Sequence, residues 1–142
     1  MKKSTEELLQ EIKDCDEIRD YLADNTEELC QNSLSTYLQG LLQKYGIKKS
    51  VLFRRAGQEG SNYGYELFRS DVKSPSRDLL LTICIAFPLT IEETQTALRL
   101  ADCAVLYPRN RRDAFILYAL KEQLSVDRLD EMLEANGLKT LL

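Results

Sequence analysis

The sequence predicts an all-α protein, and three observations support that fold class. Apolar residues recur at three- and four-residue intervals along most of the 142-residue chain, which is typical of amphipathic helices. No stretch alternates polar and apolar residues convincingly, so no strand is predicted. Hydrophobic residues make up 44% and charged residues 30%, a composition typical of a globular protein rather than a disordered or membrane-embedded chain.

An acidic N-terminal extension is predicted over residues 1–32. Apolar residues recur at helical spacing from Leu8 to Ile12 and again from Ile18, and Thr5 followed by two glutamates is typical of a helix start. The segment carries 4 basic and 10 acidic side chains, which gives it a net charge of −6. We expect an acidic helix that repels nucleic acid and suits a basic protein partner.

A central helical domain is predicted over residues 33–104. Gly46 can adopt the positive φ that ends a helix, Pro75 favours an extended connection, and Pro88 breaks the helix before it. Cys84 lies in an apolar run and is predicted to be buried. The expected helices run from Ser33 or Ser35 to Gly46, over 48–56, over 61–69, from Ser76 to Phe87 and onward from Thr90.

Two more helices are predicted in a C-terminal extension, residues 105–142, that packs on the same core. Helical periodicity covers residues 113–120 and 126–133, and Pro108 marks a break ahead of them. The cluster at 109–113, Arg-Asn-Arg-Arg-Asp, either binds phosphate or forms Arg–Asp pairs where a helix starts at its last residue. We favour the structural role.

Composition argues against a metal centre and against catalysis. The chain has no histidine, which is the commonest general base and zinc ligand. Its four cysteines are too scattered to hold a metal: Cys15, Cys30, Cys84 and Cys103. Neither a Gly-rich phosphate loop nor a nucleophile elbow is present, so we expect no enzyme, no metal and no cofactor.

The sequence also predicts a cytoplasmic protein without membrane contact. No apolar run approaches the roughly 18–20 residues of a membrane span. The first residues lead into acidic sequence rather than an apolar signal core.

Positive charge is concentrated in residues 33–80, which carry 8 basic and 4 acidic side chains. A positive segment between two acidic ones is what a polyanion-binding surface requires, although chance clustering explains it equally well. Arg54 and Arg55 either contact phosphate or pair with the acidic N-terminal segment.

Residues 48–56 and 61–69 have the pattern of a helix-turn-helix motif, in which one helix braces across the DNA backbone and the next enters the major groove. The chain resembles the Xre/Cro-type, lambda-repressor-like helix-turn-helix proteins, and in particular a subgroup of short bacterial transcriptional regulators. The matching segments are GIKKSVL at 46–52, YGYELF at 63–68, PSRD at 75–78, LTIEETQ at 89–95, LYPRNRRD at 106–113 and LEANGL at 133–138. The resemblance implies a lambda-repressor-like helical bundle.

The resemblance also implies which positions contact DNA. Base contacts fall on Ser61, Asn62, Tyr63, Glu66 and Arg69. Backbone phosphate contacts fall on Lys48, Lys49, Lys73 and Arg77. By residue type, Asn62 is favoured as a helix cap, and Tyr65 and Phe68, three residues apart on one short helix, are favoured as core.

Two functions follow from these patterns. The resemblance implies a transcriptional regulator that binds double-stranded DNA, and a homodimer, because one such domain covers only a half-site. Three departures favour an alternative: a long turn at 58–60, Ser-Asp-Val at 70–72 in place of a basic loop, and the carboxylates of Glu66 and Asp71 near the phosphates. The alternative is a helix-turn-helix-derived protein-interaction module with weak or no DNA binding, which contacts its partner through the acidic N-terminal helix.

Overall fold

The computed structural model describes residues 3–25, 33–58, 62–69 and 75–142, without the side chains of Asn62 and Tyr63. Every regular element in these ranges is an α-helix, which confirms the all-α class. The chain divides into two compact units, residues 1–31 and 32–142. Among the described residues, no helix combines the length and the apolar character that crossing a membrane requires.

The first unit contains helices α1 (Thr5–Asp14) and α2 (Ile18–Asp24). Helix α1 begins at the predicted residue because the Ser4 hydroxyl, one position earlier, accepts a hydrogen bond from the Glu7 amide. The Lys3 ammonium group donates to the Glu11 carboxylate at 2.8 Å and to the buried Asn25 side chain at 2.7 Å. The bond from Lys3, together with one from the Asn25 side-chain amide at 3.5 Å, lowers the pKa of Glu11.

The second unit contains the remaining helices of the described chain, and its caps explain where they begin and end. The Ser33, Ser76 and Thr90 hydroxyls accept from backbone amides at three helix starts, and Gly46 ends a helix at φ 62°. The helices are α3 (Leu34–Tyr45), α4 (Lys49–Arg55), α5 (Asn62–Glu66), α6 (Arg77–Ala86), α7 (Ile91–Leu100), α8 (Arg111–Glu122) and α9 (Val126–Ala135).

Helix α6 lies in the core of this unit. All residues from Leu80 to Ala86 are buried, and the helix packs against α4, α7 and α9. Cys84 is fully buried as predicted, and burial raises its pKa to about 12, so its thiol stays protonated. Because residues 80–86 are buried on every side of α6, this part of the helix is surrounded by the helices that precede and follow it.

Helices α8 and α9 belong to the same compact unit as α3–α7, and α9 packs against α6. Helix α8 starts at Arg111, two residues before the predicted start, because Asn110 caps it by accepting from the Asp113 amide at 2.9 Å. Within the cluster at 109–113, Asn110, Arg112 and Asp113 make bonds inside the fold. Arg112 binds both carboxylate oxygens of Asp78, at 2.9 and 3.2 Å.

Candidate nucleic-acid interface

An aromatic cluster fixes α5 against α4. The Phe53 ring lies 4.3 Å from the Tyr65 ring and meets the Phe68 ring edge-on at 5.6 Å, measured between centroids. Phe53 and Phe68 are fully buried, and Tyr65 is half-buried against the core. The prediction that Tyr65 and Phe68 belong to the core is therefore confirmed. Gly64 permits this approach, because a Cβ there would lie 3.0 Å from Phe53 Cε1.

The reading helix is shorter than the predicted 61–69. Helix α5 covers only five residues, and Leu67, Phe68 and Arg69 then donate to carbonyls three positions earlier. Such bonds make a tighter turn than an α-helix and end the regular element. The side chain of Gln39, on α3, holds this turn by donating to the Phe68 carbonyl at 2.6 Å.

The predicted base-contacting residues have different environments. Asn62 and Tyr63 occupy the first two positions of α5, and Ser61 lies outside the described residues. The Glu66 side chain is half-buried at the end of α5, and Arg69 is exposed just after it.

The predicted phosphate-contacting residues divide into two groups. Lys48 is the exposed residue that precedes α4, and Lys49 is exposed with its ammonium group 5.5 Å from the centre of the Phe68 ring. Lys73 lies outside the described residues. Arg77 instead binds within the fold, donating to the Ala104 carbonyl at 2.9 Å and to the Asp113 carboxylate at 3.0 Å.

Arg54 and Arg55, in the last turn of α4, are both exposed. With Lys48, Lys49 and Arg69 they form what we call the basic set, five cations on or next to the two helices of the motif. Among the described residues, no member of this set makes an ion pair. Within the described ranges, these five charges are therefore not neutralised by a carboxylate.

A second charged cluster, centred on Glu93, was not predicted. The Glu93 carboxylate accepts from the Lys44 ammonium group at 2.7 Å, from the Thr90 amide at 3.0 Å and from the Tyr45 hydroxyl. Burial acts to raise the pKa of Glu93, but these bonds outweigh it and bring the pKa to about 2. Burial and the neighbouring carboxylate raise the pKa of Tyr45 to about 12. The Thr-x-x-Glu spacing at residues 90–93 is a capping-box signal, but it does not reveal the partners on α3.

Among the described residues, no group of three or more acidic or cysteine side chains is arranged to hold a metal ion. Comparison of the chain with models of protein families, with curated proteins and with solved structures finds no match.

Proposed function

We propose that this protein is a DNA-binding transcriptional regulator of the Xre type, with α4 as the bracing helix and residues 61–69 as the segment that enters the major groove. The observation that carries the proposal is the basic set, five exposed cations without carboxylate partners among the described residues. Phosphate contacts of this kind supply most of the affinity of a protein for duplex DNA.

The contrast with neighbouring cations strengthens the proposal. Lys44 and Arg77 belong to the same positive segment, yet each binds a carboxylate of the fold, Glu93 and Asp113 respectively. The positive segment therefore contains cations that pair with a carboxylate of the fold, and the basic set, which has no such partner among the described residues. The basic set flanks α4 and α5, which the aromatic cluster holds together. A surface that recognises bases requires phosphate contacts that fix its position on the duplex.

The base contacts would come from the segment after the turn. Glu66 can accept from a cytosine amine, and Arg69 can donate two hydrogen bonds to a guanine edge. Arg77 has no part in this proposal, because its guanidinium group already holds α6 to α8 through Asp113.

The test is fluorescence anisotropy of a short random-sequence duplex, titrated with the full chain at about 50 mM and about 200 mM salt. We expect weak binding that falls steeply with salt. The Lys48→Gln/Lys49→Gln variant should lower the slope of log K against log[salt] by about 1 for each phosphate that the wild-type lysines neutralise. The matched control is Arg99→Gln/Arg128→Gln, which removes two exposed cations elsewhere in the same unit.

Three results would count against DNA binding. They are no binding at the lower salt, binding without salt dependence, and an equal effect of the test and control pairs. The last result would mean that only the net charge matters.

The alternative function, a protein-interaction module, has one observation of its own. The first unit exposes four large apolar side chains, at 42–56% of their full area: Leu9, Ile12, Ile18 and Leu22. Together with the net charge of −6 on residues 1–32, they suit a partner with a basic and apolar face. Failure to bind duplex at low salt would favour this alternative. Binding of a basic amphipathic helical peptide that Leu9→Ser/Ile12→Ser abolishes would then support it.

A further inference from the structure

An exposed stripe runs along one face of α8. Its four residues, Arg111, Phe115, Tyr118 and Glu122, are spaced by four, three and four positions, so they share one side of the helix. The two ends of the stripe are exposed and oppositely charged, Tyr118 is 48% exposed, and Phe115 is half-buried. We call these four residues the α8 stripe.

The apolar middle of the stripe borders an open groove between α8 and α9. The groove has a volume of about 410 Å³ and is lined by Ala114, Phe115, Tyr118 and Met132. An aromatic pair beside a small residue and a flexible methionine is a surface on which another helix packs well.

The charges of the stripe indicate which helix that is. Arg111 is a cation at the N-terminus of α8, and Glu122 is an anion at its C-terminus, so the dipole of their own helix disfavours both. An antiparallel neighbour would present its C-terminus to Arg111 and its N-terminus to Glu122. Both charges would then be favourable.

We propose that a second copy of this chain binds the α8 stripe, with the two α8 helices antiparallel about a two-fold axis. Centred between residues 116 and 117, this pairing places Arg111 opposite Glu122 of the second copy and Phe115 opposite Tyr118 of the second copy. Each contact occurs twice, as two-fold symmetry requires. The charge–apolar–apolar–charge order of the stripe is complementary to itself in this orientation.

The polar contacts that the two charged ends of the stripe make within one chain are weak enough to give way. Arg111 reaches the Asn136 side chain at 3.5 Å, and the Glu122 carboxylate lies 3.6 Å from the Lys121 ammonium group, both on the surface. Such a dimer would present two helix-turn-helix motifs, as recognition of paired half-sites requires. The association itself does not depend on DNA binding.

The experiment is analytical ultracentrifugation of the full chain over a concentration series, without DNA. We expect a monomer–dimer equilibrium. Arg111→Glu and Glu122→Arg should each weaken it by about tenfold, because each turns two attractive pairs into two repulsive ones. Equal mixing of these two variants should restore association, since a heterodimer contains only attractive pairs.

Controls separate this pairing from general charge effects and from unfolding. Arg99→Glu and Glu92→Arg make the same charge reversals at exposed positions on α7 and should leave association unchanged. Circular dichroism checks that each variant stays folded. A wild-type chain that is monomeric at every concentration would overturn the proposal. The proposal would also be overturned if neither Arg111→Glu nor Glu122→Arg weakened the dimer. The same holds if an equal mixture of the two variants failed to associate.

Discussion

Glu93 joins the end of α3 to the start of α7. One oxygen of its carboxylate accepts from Lys44, near the end of α3, and the other accepts from Tyr45 and from the Thr90 amide that caps α7. The Glu93 side chain is only 12% exposed, whereas Lys44 is 63% exposed, so solvent screens the ion pair with Lys44 more than the bond from the part-buried Tyr45. One carboxylate therefore fixes the relative position of two helices.

The low pKa of Glu93 predicts a specific loss of stability in acid. The ordinary value of 4.5 falls to about 2 in the folded chain, so the ionised group stabilises the fold fully above pH 4.5. This contribution disappears as the pH falls toward 2. We expect Glu93→Gln to lower the free energy of unfolding at pH 7 by about 2 kcal/mol, and the difference from wild type to vanish near pH 2.

Urea unfolding at a series of pH values measures this effect. Glu92→Gln is the matched control, because Glu92 is the exposed neighbour of Glu93 in the first turn of α7. It should change the unfolding free energy by less than about 0.5 kcal/mol. A Glu93→Gln variant whose deficit stays constant with pH would contradict the role of its ionised form.

At the residue scale, the sequence predicts which side chains are buried better than which ones pair. Cys84 is recognisable as core from its apolar run, and Phe68 from its three-residue spacing to Tyr65 on one short helix. The resemblance implies a phosphate contact for Arg77, yet its guanidinium group binds Asp113, 36 positions along the chain. Lys44 and Glu93 are 49 positions apart. Such pairs depend on how helices pack, and local periodicity does not carry that information.

At the scale of the elements, the packing of α5 on α4 depends on a glycine. Gly64 is buried, and a Cβ there would lie 3.0 Å from Phe53 Cε1 and 3.3 Å from Phe53 Cδ1. The Phe53 ring is fully buried between Tyr65 and Phe68, so it has little room to move away. A larger residue would push the short helix off its support.

We therefore expect Gly64→Ala to destabilise the protein by about 1–3 kcal/mol despite the better helix propensity of alanine. Gly40→Ala is the matched control, since Gly40 is an exposed residue inside α3 with no atom within 4 Å of an added Cβ. It should stabilise the protein by about 0.5–1 kcal/mol. Thermal or urea unfolding of both variants gives the comparison, and the same sign for both would contradict this account of α5 packing.

Helix starts are predictable here where a small polar residue is followed by an apolar stripe. The hydroxyls of Ser33, Ser76 and Thr90 each accept an amide hydrogen bond at the expected cap. Helix α8 starts two residues before Asp113, where the sequence predicts it, because the Asn110 side chain caps the helix at Arg111. Helix α5 ends at Glu66 rather than at the predicted residue 69, because Leu67 and Phe68 lie in a tight turn. The sequence does not reveal this end, since apolar residues in such a turn recur at nearly the same interval as in a helix.

At the scale of the whole molecule, charge and core are distributed unequally between the two units. The main hydrophobic core lies within residues 38–141, and α6 is central to it. The net charge of −6 lies in residues 1–32, whereas residues 33–142 carry 15 basic and 13 acidic side chains. The main hydrophobic core and the excess of negative charge therefore lie in different parts of the chain.

This distribution predicts the behaviour of a fragment comprising residues 32–142. We expect it to unfold in one cooperative transition, with a free energy within about 1 kcal/mol of that transition in the full chain, because it retains the whole core cluster. Urea unfolding followed by circular dichroism makes the comparison. A fragment that is markedly less stable would show that the first 31 residues contribute to the core.

The same fragment tests how the acidic segment affects the proposed DNA binding. Removing residues 1–31 changes the net charge from −4 to +2, and the basic set remains intact. If that set binds phosphate, the fragment should bind a random duplex more tightly than the full chain at low salt, because electrostatic repulsion is removed. The difference should shrink as salt increases, since screening weakens repulsion and attraction alike. A fragment that is folded but still fails to bind would argue against a DNA-binding role for α4 and α5, because the acidic segment could no longer explain the failure.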